Sequence, residues 1–66
     1  MGRPIYIYRL AELKTLTPMR ASDTETLRIA QPTFRVWLSR DETTIRIEEK
    51  SPNTDTWRDV ETYPAR

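Results

Sequence analysis

Sixty-six residues without a single cysteine or histidine make one small domain that has no disulfide, thiolate or imidazole ligand to hold it, and that lacks His- and Cys-based catalysis. Eleven basic against 10 acidic residues leave a net charge of +1, so no bulk attraction draws the chain to nucleic acid or to a membrane surface. No stretch approaches the roughly 20 apolar residues of a membrane span, and the broken apolar run at residues 4–8 is too short and too polar for a signal peptide, which predicts a cytoplasmic protein.

The first element is ambiguous. Residues 4–10 (PIYIYRL) alternate Ile5 and Ile7 against Tyr6 and Tyr8, which favours a strand. Leu10, Leu13 and Leu16 then recur every three residues among good helix formers, so a short helical turn over residues 11–16, ended by Pro18, competes with a strand extended over residues 10–16. Thr15 and Thr17 weaken the helix, and the extended form is preferred. As a helix, the leucine stripe reads as a cover for the protein's own sheet, over the Trp37 face, with docking on a partner as the lesser alternative; in the extended form that face stays open to a second copy or a partner.

Residues 18–23 read as loop. Residues 24–30 (TETLRIA) read as a strand with Leu27 and Ile29 on one face and Arg28 on the other, broken by Gln31 and Pro32. The strongest pattern in the chain follows at residues 33–50. Phe34, Val36 and Leu38 alternate with polar residues, a short polar break intervenes, and Ile45 and Ile47 resume the alternation, which describes a β-hairpin. With residues 40–43 as its loop, Leu38 faces Ile45 and Val36 faces Ile47, while Trp37 faces Arg46 as a cation–π pair and Arg35 faces Glu48 as an ion pair. A slip by one residue turns every aliphatic residue toward water.

Residues 51–55 (SPNTD) form the clearest turn, and residues 56–63 (TWRDVETY) the last strand, ended by Pro64. Val60 is three residues from both Trp57 and Tyr63, so a regular strand puts it on the opposite face from them; a β-bulge would bring all three to one side. The sole glycine is Gly2, which leaves no loop able to cradle phosphate as a glycine-rich motif does. No repeat, low-complexity tract or linker divides the chain. The expected fold is mainly β: a single domain over residues 1–66, built as one antiparallel sheet or partly open barrel of four to five strands. The predicted core is Ile5, Ile7, Leu27, Ile29, Phe34, Val36, Leu38, Ile45, Ile47 and Val60. A chain this short buries only about 60% of its unfolded surface, which makes a homo-oligomer the expected source of further burial.

The candidate functional residues are Arg28, Arg35, Trp37, Arg46, Trp57 and Tyr63, with Tyr6 or Tyr8 beside them, on the face opposite the aliphatic one. Arginine and tryptophan dominate protein–protein hot spots, and the same pair of residue types grips single-stranded nucleic acid by stacking and charge neutralisation. The bland reading is packing across the sheet, with Glu48, Asp59 and Glu61 neutralising the arginines. Those interleaved carboxylates repel phosphate and put nucleic acid behind a protein partner. The nine arginines against Lys14 and Lys50 suit planar recognition, although GC-rich coding produces the same bias.

An enzyme is not expected. Glu48 and Glu49 face opposite ways on a strand, and Asp59 and Glu61, which share a face, read as solvated charges. Neither a cofactor motif nor the spacing of a calcium loop is present. The reading is therefore a non-enzymatic module that binds another protein, of the kind found among viral accessory proteins and small assembly subunits, with host cytoplasm as its location if viral. A single-stranded nucleic-acid binder using the same Trp/Arg face is the alternative.

Overall fold

The central hairpin forms in the register its alternation demands. In the computed structural model, which describes residues 7–66, Leu38 faces Ile45, Val36 faces Ile47, Trp37 faces Arg46 and Arg35 faces Glu48. These strands are β3 (Phe34–Ser39) and β4 (Thr44–Lys50); β1 (Arg20–Ala21) and β2 (Glu25–Ala30) precede them and β5 (Trp57–Pro64) follows. The sheet order is the chain order and every pairing is antiparallel, giving an open five-stranded meander. The four-residue helix α1 (Leu10–Leu13) packs on one face of it.

The loop at residues 40–43 locks the hairpin. Ser39 Oγ accepts from the backbone N–H groups of Thr43 and Thr44 at 3.0 and 2.9 Å and donates to Asp41 Oδ1 at 2.8 Å. The Thr43 hydroxyl also donates to Asp41 Oδ1, at 2.7 Å. These donors, the Thr43 hydroxyl first, hold the Asp41 carboxyl below its ordinary pKa. Glu42 takes a left-handed backbone (φ 63°) to close the loop.

Two β-bulges decide what lies on each face. In β2, Leu27 faces Trp37 and Ile29 faces Val36, so Arg28 is an extra residue and Leu27 and Ile29 lie on opposite faces, not on one. In β5, Ile47 faces Glu61 and Glu48 faces Asp59, so Val60 is the extra residue. This bulge gathers Val60 and Tyr63 on the aliphatic face but leaves Trp57, opposite Lys50, on the other; all three do not meet. It also separates Asp59 from Glu61. Residues 18–23 are not wholly loop, since β1 pairs Arg20 with Leu27 and Ala21 with Thr26. Both edges are poor templates for uncontrolled pairing: β1 has two residues, and β5 carries a bulge and ends on Pro64.

The expected strand at residues 4–10 lies partly outside the described residues, and Ile7 to Arg9 form none. The extended form of residues 10–16 gives way to α1 followed by a turn. Three anchors explain the reversal. Glu12 Oε1 accepts from the Arg9 N–H at 3.0 Å, the Leu10 N–H donates to the Arg66 carbonyl at 3.0 Å, and Leu13 is fully buried. So short a helix has little stability of its own, and tertiary contacts select it. Its apolar side meets apolar side chains: Leu13 joins Val36, Leu38, Ile45 and Ile47, each 0% exposed, in the core. Tyr8, Leu10, Ile29, Phe34, Val60 and Tyr63 pack around them. Leu13 was missing from the predicted core, whereas Ile7, included there, is 70% exposed. Ile5 lies outside the described residues. Leu27 is buried, but against the opposite face.

Candidate functional site

The face left uncovered by α1 carries Glu25 and Leu27 from β2, Arg35 and Trp37 from β3, Arg46, Glu48 and Lys50 from β4, and Trp57 and Asp59 from β5, as the pairing registers require. Arg46 is its hub. Its guanidinium grips Glu25 with two bonds, Nε to Oε2 at 2.8 Å and Nη2 to Oε1 at 2.6 Å. Nη1 donates to Glu48 Oε2 at 2.9 Å and to Asp59 Oδ1 at 2.6 Å. The Glu25 carboxylate, more than any other group, pushes the Arg46 pKa further up, against burial, with Glu48 and Asp59 adding to it; Arg46 stays charged at any accessible pH. Three carboxylates thus converge on a guanidinium, and among the described residues no group of acidic side chains is arranged to hold a metal ion.

The tryptophans are fixed by the same charges. Trp37 Nε1 donates to Glu48 Oε1 at 2.7 Å, and the Arg46 Cζ lies 5.4 Å from the Trp37 ring centre, which is the expected cation–π pair. The expected Arg35–Glu48 ion pair does not form. Glu48 turns to Trp37 and Arg46, and Arg35 instead crosses β4 to stack on Trp57, with Cζ 3.8 Å from the ring centre. Among the described residues, no carboxylate pairs with Arg35, in contrast to Arg46. Arg35, Arg46 and Lys50 against Glu25, Glu48 and Asp59 leave this face without net charge.

Four of the six candidate residues, Arg35, Trp37, Arg46 and Trp57, therefore share the open face. Two do not. Arg28, the bulge residue, turns toward the helix side, where Nε donates to Thr26 Oγ1 at 3.0 Å and Nη1 to the Leu16 carbonyl at 2.9 Å. Tyr63 lies on the aliphatic face opposite Ile45, and its hydroxyl accepts from the Tyr8 N–H at 2.7 Å and donates to the Tyr8 carbonyl at 2.9 Å. Burial is the main reason its phenol pKa is raised, as it is for Tyr8. Sequence reasoning missed Glu25. A regular β2 strand keeps Glu25, Leu27 and Ile29 on one face, so assigning Leu27 and Ile29 to the core removed Glu25 from consideration.

An open cleft of about 530 Å³ adjoins the Trp57 end of this face, between the β2–β3 turn and the β4–β5 loop, lined by Thr33, Lys50, Ser51, Asn53 and Thr54 among others. Lys50 contributes to both, and among the described residues its ammonium pairs only with Asp55, at 3.3 Å, an acid that is 99% exposed. The second recess, an apolar groove of about 560 Å³ on the helix side, runs between α1 and Ile29 of β2. No helix among the described residues is long and apolar enough to cross a membrane. The chain matches no protein-family model, no curated protein and no solved structure.

Proposed function

We propose that this protein is a non-enzymatic interaction module whose Trp37/Trp57 face binds another protein. One observation carries the reading. The only helix among the described residues is spent on the aliphatic face, and no described element covers the opposite face, although it holds two tryptophans and two arginines in set positions. Residues of these types are the usual anchors of protein interfaces. Clamping them beforehand lowers the entropy lost on binding, because the Arg46 and Trp37 side chains are already ordered by Glu25 and Glu48.

The arrangement favours a protein over single-stranded nucleic acid. Arg46 has its donors committed to three carboxylates, Arg28 is tied to the helix side, and the face carries no net positive charge. A polyanion gains little counterion release from such a surface. The guarded edges of β1 and β5 favour the face over strand addition as the binding mode.

The test is affinity capture from the source cell with the wild-type chain and with Trp57→Ala, alongside native mass measurement. A partner, or a second copy of this chain, that is retained by the wild type and lost by a folded Trp57→Ala protein supports the reading. Equal retention by both, or a short single-stranded oligonucleotide binding with a steep salt dependence, removes it.

A further inference from the structure

The open face is unevenly neutralised. At its centre Arg46 is saturated by Glu25, Glu48 and Asp59. At the Trp57 end the balance reverses. Arg35 Cζ lies over the Trp57 ring, 3.8 Å from its centre, with no carboxylate partner among the described residues. Lys50 faces Trp57 across the β4–β5 pair, and among the described residues its ammonium pairs with the fully exposed Asp55 alone, at 3.3 Å. A guanidinium stacked on indole keeps its in-plane N–H donors free for a planar acceptor while the ring holds its orientation. The cleft beside it is lined by the hydroxyls and amide of Thr33, Ser51, Thr54 and Asn53 as further polar contacts, and by the carboxylate of Asp55.

We infer that the Arg35–Trp57–Lys50 corner receives an acidic side chain, aspartate or glutamate, of a peptide segment of the partner. This rests on the interface reading and adds the chemistry of what docks there. The carboxylate takes the fork of Arg35, the Lys50 ammonium exchanges Asp55 for it, and the flanking peptide lies in the cleft. A single acid suits the site and a phosphate chain does not. Continued along the sheet, a polyanion runs from Arg35 directly onto Glu48 and Asp59, whereas a peptide can present one acid and then neutral or basic residues.

The experiment is selection from a random 12-residue displayed peptide library against the whole protein, followed by affinity measurement on the selected synthetic peptides and mapping of the two tryptophan indole N–H signals by NMR. The expected peptides carry an aspartate or glutamate, shift the Trp57 signal, and lose roughly tenfold in affinity when that acid becomes its amide, the factor that one lost charge-assisted contact implies. Arg35→Gln should cost a similar factor. The losses from Arg35→Gln and from the peptide amide should not multiply, since both break the same contact. Lys50→Gln, which leaves both members of the Arg35–Trp57 pair in place, serves as the second variant and should weaken binding by a smaller factor. Peptides that shift Trp37 or Trp57 but carry no acid, or bind Arg35→Gln and Lys50→Gln as well as wild type, overturn this inference and leave the interface standing. Peptides that shift neither tryptophan, or no selected peptide at all, overturn both. Tight binding of a thymidine 12-mer that depends on Arg35 assigns the corner to phosphate and also overturns the inference.

Discussion

Replacing Arg46 with methionine tests whether the open face is organised by its charges. Methionine keeps much of the aliphatic volume and removes the guanidinium, which leaves Glu25, Glu48 and Asp59 converging with no counter-charge. Breaking a fully buried pair costs about 3–5 kcal/mol. Here the Glu25 and Glu48 side chains keep 22% and 16% exposure and Asp59 keeps 60%, so solvent screens part of the repulsion. We expect a loss of about 2 kcal/mol. A 66-residue domain is stable by only about 3–10 kcal/mol, so the loss is large but survivable. Urea unfolding followed by tryptophan fluorescence and circular dichroism should show the midpoint falling by about 2 M, given a slope near 1 kcal/mol per M for so small a chain. Two further responses identify the cause. Raising salt from about 0.15 M to about 1 M shortens the screening length from about 8 Å to about 3 Å and should restore part of the loss in Arg46→Met but add nothing to wild type. Adding Glu25→Gln to Arg46→Met should also restore part of it, because one of the stranded charges is gone. A loss below about 0.5 kcal/mol, or one that Glu25→Gln deepens, would refute the claim that Arg46 neutralises this cluster.

Ile47, fully buried at the centre of the aliphatic face, should cost about 3–4 kcal/mol on truncation to alanine, read from urea unfolding followed by circular dichroism; a loss below about 1 kcal/mol contradicts the core assignment. Tyr63→Phe removes both bonds that tie Tyr8 to β5 and should cost about 1–3 kcal/mol, with faster amide exchange through α1. Because burial raises the Tyr63 phenol pKa, its contribution is complete below the unfolded value near 10 and is lost as pH rises through the higher folded value; wild-type melts should drop in that alkaline range, and Tyr63→Phe should reduce the drop. Glu42→Gly relieves the left-handed backbone at φ 63° and should raise stability by up to about 1 kcal/mol, since the Lys14–Glu42 ion pair it removes is long at 3.7 Å and exposed; a lower melting temperature would mean that the loop is not closed through Glu42 in this way.

The hairpin of β3 and β4 was legible in the sequence because period-two alternation on both sides of a short polar break leaves one register that buries Val36, Leu38, Ile45 and Ile47 together, and local turn chemistry at Ser39, Asp41 and Thr43 supports that register. Three other features were decided by tertiary structure. Bulges at Arg28 and Val60 each insert one residue and so reverse the parity that sequence spacing assumes; this moved Leu27 and Glu25 to the tryptophan face and took Arg28 and Tyr63 away from it. A bulge leaves little trace in local composition, because what selects it is the fit of both neighbouring strands and of the side chains on each face. The helix at Leu10–Leu13 is too short to be chosen by propensity, and it exists through the Tyr8–Tyr63 and Leu10–Arg66 ties and the burial of Leu13. Last, alternation placed Arg35, Trp37, Arg46 and Trp57 on one face, but the choice of partners among them is a competition between side chains on three strands. Glu48 reaches both Trp37 and Arg46, so Arg35 is released to Trp57, an exchange that follows from distances no linear spacing contains.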